Sequence, residues 1–491
     1  VATQTKKIAL DTFALIFGRV VGLFLGMIRL NYLATYLGVG NFGILNFAAY
    51  FTSLFQTLFD LGLSQILVRE MSRTPSRSNA LLGNVVLLKV LIVTVASALV
   101  LAATLVSGFD PTTTWAIILS TAGMAINGIA QAFQGAFQAQ RKMVFVSLVS
   151  VANDVLLSIA VILLLPHIPE VRTPLVLAAA ASLIMLGILV VVYRRSLGSP
   201  RLSADTGLWK TLLRDGLPIA LGGFGISTYM FVGPTILNYT RSGTEMGIYS
   251  AGYKLISILT LIPVAFTQIL FPIFSDFGAN APHKLHKALY DALRVIGQLS
   301  FPLAVGTILL APEIIAILYP PAFSDAALVL QILIVGAAVG YLSWILQSFL
   351  LSQNHQKFCM WNSLAIAALV LAANLLLTPR LGYRAMTVIS ACTELLIFAS
   401  LQVYTARVGF PPKHLFVFAK ILLAVCVMGA VIFLFKPWGL FPNIALGIVV
   451  YVTMLLVLKV YGDQEKEILS KVLNRVFAIV DSRTTGNRDD R

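Results

Sequence analysis

Charge is scarce in this sequence. Asp, Glu, Lys and Arg make up 11% of the 491 residues, where a water-soluble chain would carry about a quarter. That excludes an ordinary soluble enzyme and any large disordered segment. Cysteine is nearly absent: Cys359, Cys392 and Cys426 fall singly in or beside apolar runs, which excludes a disulfide framework and leaves them as packing residues. The five histidines all fall in expected loops, so none is placed to act as an intramembrane acid or base. His283 and His286 with Lys284 and Lys287 form a basic loop; a metal would need further ligands that the neighbouring sequence lacks, so the loop reads as solvated and facing lipid phosphates. There is no His-Glu pair, no pair of carboxylates and no nucleotide-binding glycine loop, which argues against a membrane-embedded glycosyltransferase or acyltransferase. Neither metal nor cofactor is expected, and the protein reads as a non-enzyme.

Apolar residues dominate instead, at 58% with a mean hydropathy of +0.90. At about 20 apolar residues per span, the chain reads as an all-α polytopic membrane protein of about 14 transmembrane helices. They fall near 8–32, 42–68, 80–106, 114–138, 143–165, 174–193, 212–239, 246–274, 289–310, 326–352, 358–378, 384–406, 414–435 and 441–460. The polar residues before the first span lead into a helix too long and too polar to be a cleaved signal sequence. A net charge of +15 would suit nucleic acid, but Lys and Arg sit at the ends of apolar runs, as cytoplasmic loops collect them, and no nucleic-acid partner is expected. Counted by alternate loops, nineteen Lys and Arg fall on one side and five (Arg172, Arg241, Arg380, Arg384 and Lys436) on the other. This places both termini in the cytoplasm of a multi-pass cell-membrane protein.

The stretch from Asp11 to Arg77 carries the least ordinary pattern: Arg19 and Arg29 inside a span, the turn Leu37 to Gly43, and Asp60-Leu61-Gly62-Leu63 before Arg69-Glu70. An Arg near a bilayer centre costs about 2.5 to 3.5 kcal/mol, so Arg19 should face a wet or protein-lined interior. At 100° per residue, Asp11 and Arg29 point the same way, Gly18 and Gly22 lie within about 20° of them, and Arg19 lies about 80° off. The helix has one polar, cationic, glycine-lined face.

Gly38 to Tyr50 aligns with Ser242 to Lys254 at an offset of 204, chiefly through Gly43-Ile44 and Gly247-Ile248. Six spans separate the copies, so orientation is preserved. Two parallel six-helix lobes follow, residues 1–200 and 201–408, with a substrate path between them. Residues 409–461 add two helices. Residues 462–491 read as an amphipathic helix on the membrane, with Ile468, Leu469, Val472, Leu473, Val476, Phe477 and Val480 at helical spacing, followed by a disordered tail; a partner-binding helix is the alternative. The seventh span holds Gly216, Pro218, Gly222, Gly223, Gly225, Gly233 and Pro234, either as a hinge or for close packing.

Tyr36-Leu37-Gly38 to Phe42-Gly43, Phe59-Asp60-Leu61-Gly62-Leu63 and Val68-Arg69-Glu70, with Gly247 to Ala251 and Phe271-Pro272, resemble the polysaccharide (oligosaccharide) flippases. That family includes the O-antigen flippases and belongs to the multidrug/oligosaccharidyl-lipid/polysaccharide exporter superfamily. The resemblance implies translocation of a polyprenyl-pyrophosphate-linked oligosaccharide from the cytoplasmic to the external leaflet by alternating access. The partners it implies are that glycan, membrane lipids and polymerase or glycosyltransferase machinery. A pyrophosphate crossing hydrocarbon needs fixed cations in a wet cavity, and Arg engages phosphate oxygens bidentately.

The candidate headgroup ligands are therefore Arg19, Arg29, Lys254 and Lys89. Their alternatives are an ion pair of Arg19 with Asp154 and snorkelling of Arg29 or Lys254 to lipid phosphates. Tyr50, Tyr229 and Asn238 are candidates for sugar contacts, or polar packing residues. Glu394, Asp154 and Asp60 are candidates to bind a coupling H+ or Na+, with helix-end structure favoured for Asp60. The competing function is a cation-coupled multidrug exporter of the same superfamily, a class that usually has twelve spans and fewer cavity cations.

Overall fold

The computed structural model describes residues 2–140, 142–411 and 415–460, with side chains from residue 21 onward except at 23, 75, 143 and 415–417. Among the described residues every regular element is a helix. In order these are α1 (Ala2–Leu54), α2 (Gln56–Asp60), α3 (Leu63–Arg73), α4 (Ser78–Ser107), α5 (Pro111–Ala139), α6 (Met143–Leu164), α7 (Arg172–Leu197), α8 (Thr206–Thr240), α9 (Gly243–Leu259) and α10 (Leu261–Asn280). They continue with α11 (Pro282–Leu318), α12 (Ala326–Ser352), α13 (Gln356–Leu381), α14 (Tyr383–Arg407), α15 (Leu415–Leu434) and α16 (Leu440–Val457).

Eleven of the described helices are long and apolar enough to cross a membrane, counting α9 and α10 as one. The pair Phe24–Leu54 and Gln56–Arg73, bent by 56°, makes a twelfth candidate, and Phe418–Leu434 is a shorter apolar helix. α1 breaks at Gly38, where φ is 69°; counting its two arms separately, with the second arm bent into α2 and α3, and α9 with α10 as one, the described residues form 14 helices. The glycine turn expected there is this one left-handed residue. Exposed Leu105, Leu376 and Phe441 face outward as they do where hydrocarbon surrounds the helices.

Local chemistry fixes the helix starts. The Asp110 carboxylate accepts the N–H groups of Thr112 and Thr113 (3.0 and 3.1 Å) and Pro111 follows at the first helical position, a capped start for α5. Partial burial would raise the Asp110 carboxyl, but these bonds and the Thr113 hydroxyl outweigh it and bring the group below its ordinary value. Asp205 caps α8 through the Leu208 N–H at 3.0 Å.

The chain forms two compact units. The first takes the residues up to Leu259, Ala311–Gly336 and His355–Ile397; the second takes Thr260–Leu310, Ala337–Asn354 and the residues from Phe398. In the first, α1 packs on α5, α6, α8 and α9, α5 on α7, and α8 on α13. An apolar cluster in it includes Leu63, Leu67, Leu82, Val85, Phe133, Phe137, Leu189 and Tyr193. In the second, α15 packs on α16 and Tyr451 donates to the Gln298 carbonyl at 2.8 Å.

The two copies of the repeat lie against each other inside the first unit. A Cβ at Gly43 would overlap the Gly243 carbonyl, and one at Gly247 would overlap the Val39 carbonyl. Only glycine permits such backbone contact. In α8, Gly216 lies against the Leu61 carbonyl, Gly225 against Ser363 and Gly233 against Asn374 and Met386, and the helix runs through Pro218 and Pro234 without a break. These glycines serve close packing. The expected helix from 468 to 480 and the tail after it lie outside the described residues.

Candidate substrate-binding site

Arg29 sits on the first arm of α1, where that helix packs on α6 and α9. The side chain is half-buried, its Nη1 has no hydrogen-bond partner among the described residues, and Asp154 on α6 and Lys254 on α9 both lie within its electrostatic range. The Lys254 and Asp154 side chains are exposed. Gly22 and Gly26, on the same arm, have open space where a Cβ would stand. The fold thus brings together Arg29, Asp154 and Lys254. The Arg19 side chain lies outside the described residues.

An aromatic wall adjoins this group. Tyr50 stacks on Phe231 at 6.0 Å and meets Tyr253 edge-on at 5.8 Å, and Tyr253 stacks on Tyr249 at 5.7 Å. The Tyr249 hydroxyl lies 3.3 Å from Ser390 Oγ. Glu394, on the same helix as Ser390, is half-buried and within electrostatic range of Tyr229 and Tyr253; no ion pair to it occurs among the described residues. Asn238 is half-buried on the last turn of α8.

Lys89 and Asp60 take a different arrangement. Lys89 is 0% exposed, and its ammonium donates to Asp60 Oδ1 at 2.6 Å, Ser64 Oγ at 2.9 Å and the Gly128 carbonyl at 2.9 Å. All three of its protons are thereby placed. Asp60 also accepts from Ser64 Oγ at 2.5 Å. The pair holds the break between α2 and α3, where Leu61 and Gly62 take left-handed φ values of 47° and 74°. Beyond it, Arg69 reaches Glu70 at 2.9 Å and Asp215 of α8 at 2.6 Å.

The profile of the polysaccharide biosynthesis protein family matches residues 8–277, more than half of the chain. The chain belongs to that family. This member of the polysaccharide biosynthesis family is 28% identical over 378 residues to the EPS I polysaccharide export inner membrane protein EpsE of Ralstonia nicotianae, covering 72% of this chain and 83% of the relative. It is 28% identical over 108 residues to the probable flippase AglR of Haloferax volcanii, 22% of each chain. Among solved structures, the lipid II flippase MurJ in an inward closed conformation superimposes with a TM-score of 0.75 at 16% identity, covering 91% of this chain and 98% of that one. An inward-facing multidrug resistance MATE transporter of the MOP superfamily gives 0.61 at 15% identity, covering 78% and 94%. The fold of this family member is the one those proteins share.

The family member also contains a cavity of about 580 Å³ that the sequence reading did not foresee, lined among others by Gln56, Gln65, Asn127, Gln131, Ser227 and Phe231. A signal for it was present. Asn127, Gln131, Gln134 and Gln138 recur at i, i+4, i+7 and i+11, so four amides share an arc of about 60° on α5. The intramembrane charges drew the weight instead, since each costs more than an amide. Among the described residues no group of three or more His, Cys, Asp or Glu side chains is placed to hold a metal.

Proposed function

We propose that this chain carries polyprenyl-pyrophosphate-linked oligosaccharide from the cytoplasmic to the external leaflet, by alternating access between the lobes 1–200 and 201–408. The observation that carries the reading is the pairing of two cations, half-buried Arg29 and exposed Lys254, within helices apolar enough to span a membrane. Like charges held together in a low-dielectric setting repel. Among the described residues Asp154 is the one acid within electrostatic range of Arg29, and the Arg29 Nη1 has no partner among them. A pyrophosphate entering there relieves the repulsion and supplies acceptors to both side chains. Arg19 joins them by its place on the same helix. The half-buried rings of Phe231 and Tyr253 are the ones left to meet sugar rings, since Tyr50 and Tyr249 are buried behind them, and Tyr229 and Asn238 remain candidates for sugar contacts.

The other charged candidates divide by geometry. Lys89 and Asp60 satisfy each other and serve structure. Glu394, a carboxylate without a counter-ion at hydrogen-bond distance, is the group we assign to a coupling proton. The membrane is the cell's inner membrane, as the name of EpsE describes for that relative, with both termini in the cytoplasm, where polymerase or glycosyltransferase machinery would deliver or receive the glycan.

The test is export of surface polysaccharide in cells carrying Arg29→Gln with Lys254→Gln at wild-type protein levels. Export should fall at least about tenfold, as expected when two charge-assisted contacts are lost. Unchanged export would overturn the assignment. A second reading, the cation-coupled drug exporter, has one observation in its favour: Glu394 among tyrosines is a setting that also suits an organic cation. Efflux of a cationic dye that survives Arg29→Gln and is lost in Glu394→Gln would establish it instead.

A further inference from the structure

The cavity beside the Lys89–Asp60 pair carries chemistry that a pyrophosphate does not need. Its polar lining is Gln56, Thr57 and Asp60 of α2, Gln65 of α3, Asn127 and Gln131 of α5 and Ser227 of α8. Asn127 is held by the Gly123 carbonyl and Ser182 Oγ (3.0 and 3.1 Å), and Ser227 Oγ lies 3.4 Å from the Thr57 hydroxyl. Gln56, Gln65 and Gln131 make no hydrogen bond to any described residue. Gln56 and Gln65 are exposed and Gln131 is half-buried, so three amides left open by the protein converge on one cavity, an arrangement that packing does not require.

The charge of this cavity is already spent. Every proton of Lys89 is committed, and the Asp60 carboxylate is answered by Lys89 and Ser64. What remains is a surface of amide groups, donors and acceptors in equal measure, with no free cation among the lining residues. A hydroxyl both donates and accepts, and an acetamido group matches a glutamine amide donor for acceptor. A phosphate or a uronate would find no cation there and would meet the Asp60 carboxylate. Half-buried Phe231 lines the same cavity, backed by buried Tyr50, so the amide surface adjoins one aromatic ring whose face suits the C–H side of a sugar ring. The volume of about 580 Å³ lies within the range of small-molecule sites.

We propose that this cavity is a subsite for an uncharged sugar bearing hydroxyl or acetamido groups, so that the protein selects its cargo by the glycan as well as by the pyrophosphate. The inference rests on the flippase reading above. The two sites divide the ligand: Arg29 and Lys254 hold the anion, while Gln56, Gln65 and Gln131 hold the neutral ring. Gln134 and Gln138 continue the amide row along α5 toward its C-terminal end.

The experiment uses the full-length protein in lipid nanodiscs and equilibrium binding of three probes: polyprenyl pyrophosphate alone, the same lipid bearing N-acetylglucosamine, and the same lipid bearing glucuronic acid. Wild-type protein should bind the N-acetylglucosamine lipid about tenfold more tightly than the bare lipid, the yield of one to two net hydrogen bonds, and the glucuronic acid lipid no better than the bare one. Gln65→Leu with Gln131→Leu should remove that preference while leaving affinity for the bare lipid unchanged, which also reports that the variant is folded. Gln65→Met alone, on an exposed side chain, should reduce the preference if the double variant does not accumulate. Arg29→Gln should weaken all three probes alike. Equal wild-type binding of the three probes, or a preference untouched by the glutamine changes, overturns the subsite while an Arg29 effect keeps the headgroup site. Binding of none of the three overturns both.

Discussion

Replacing Lys89 by Met strands the Asp60 carboxylate at the break between α2 and α3. At 2.6 Å the Coulomb attraction of the pair is about 6 kcal/mol for an effective dielectric near 20, before the cost of desolvating both groups is set against it. Lys89 is 0% exposed and Asp60 24% exposed, so the ammonium bears most of that cost, and its bonds to Ser64 and Gly128 go with it. Removing one partner of such a pair typically costs about 3 to 5 kcal/mol, because the survivor stays buried without its counter-charge. Asp60→Asn should cost a similar amount, since it leaves a fully buried ammonium with neutral acceptors only. The double variant Asp60→Asn/Lys89→Met should be far more stable than the sum of the singles implies, with a coupling energy of about 2 kcal/mol or more. Equilibrium unfolding in mixed micelles, followed by circular dichroism, measures all four proteins. Additive single effects, each under about 1 kcal/mol, would refute the view that this pair holds the bend.

Three further outcomes are expected. Glu394→Gln should leave the protein folded and still able to bind the bare lipid pyrophosphate, but transport into vesicles should no longer respond to an imposed pH gradient; a response equal to wild type would remove Glu394 from coupling. Gly247→Val places a side chain on the Val39 carbonyl and should cost about 3 kcal/mol or more through overpacking, seen as loss of the monodisperse peak in size-exclusion chromatography. Asp110→Ala removes the α5 cap and should cost about 1 kcal/mol. Because the Asp110 carboxyl lies below its ordinary value when folded, the cap's contribution is complete above the unfolded-state value and is lost as pH falls through the lower folded one. The wild-type and Asp110→Ala melting temperatures should therefore converge in acid, and a difference that persists there would count against the cap.

Fold class was legible because span length is a local quantity. Some twenty consecutive apolar residues commit a segment to the membrane whatever surrounds it, and the fourteen segments read from composition correspond to the helices found. Gly43 and Gly247 were legible for a related reason: both are required by backbone contact, and glycine leaves a mark in sequence where other packing residues do not. The role of Lys89 was not legible. Its sequence position, nine residues into a span, looks like that of Lys254, yet one is buried and locked to Asp60 and the other is exposed. Sequence distance of 29 residues between Lys89 and Asp60 carries no helical periodicity that would pair them.

By itself, then, the sequence determined what each residue costs in a membrane: where helices must form, which glycines must stay bare, and that charges at 29, 60, 89, 154, 254 and 394 need company. Only the tertiary structure decided what company each one has. Lys89 is given to Asp60, Arg29 is set beside Lys254 and Asp154, Glu394 is placed among tyrosines, and the glutamines of α2, α3 and α5 are left without protein partners around one cavity. Burial cost is a property of a residue in its span. Pairing depends on which helix faces meet, and that is set by packing between segments far apart in the chain.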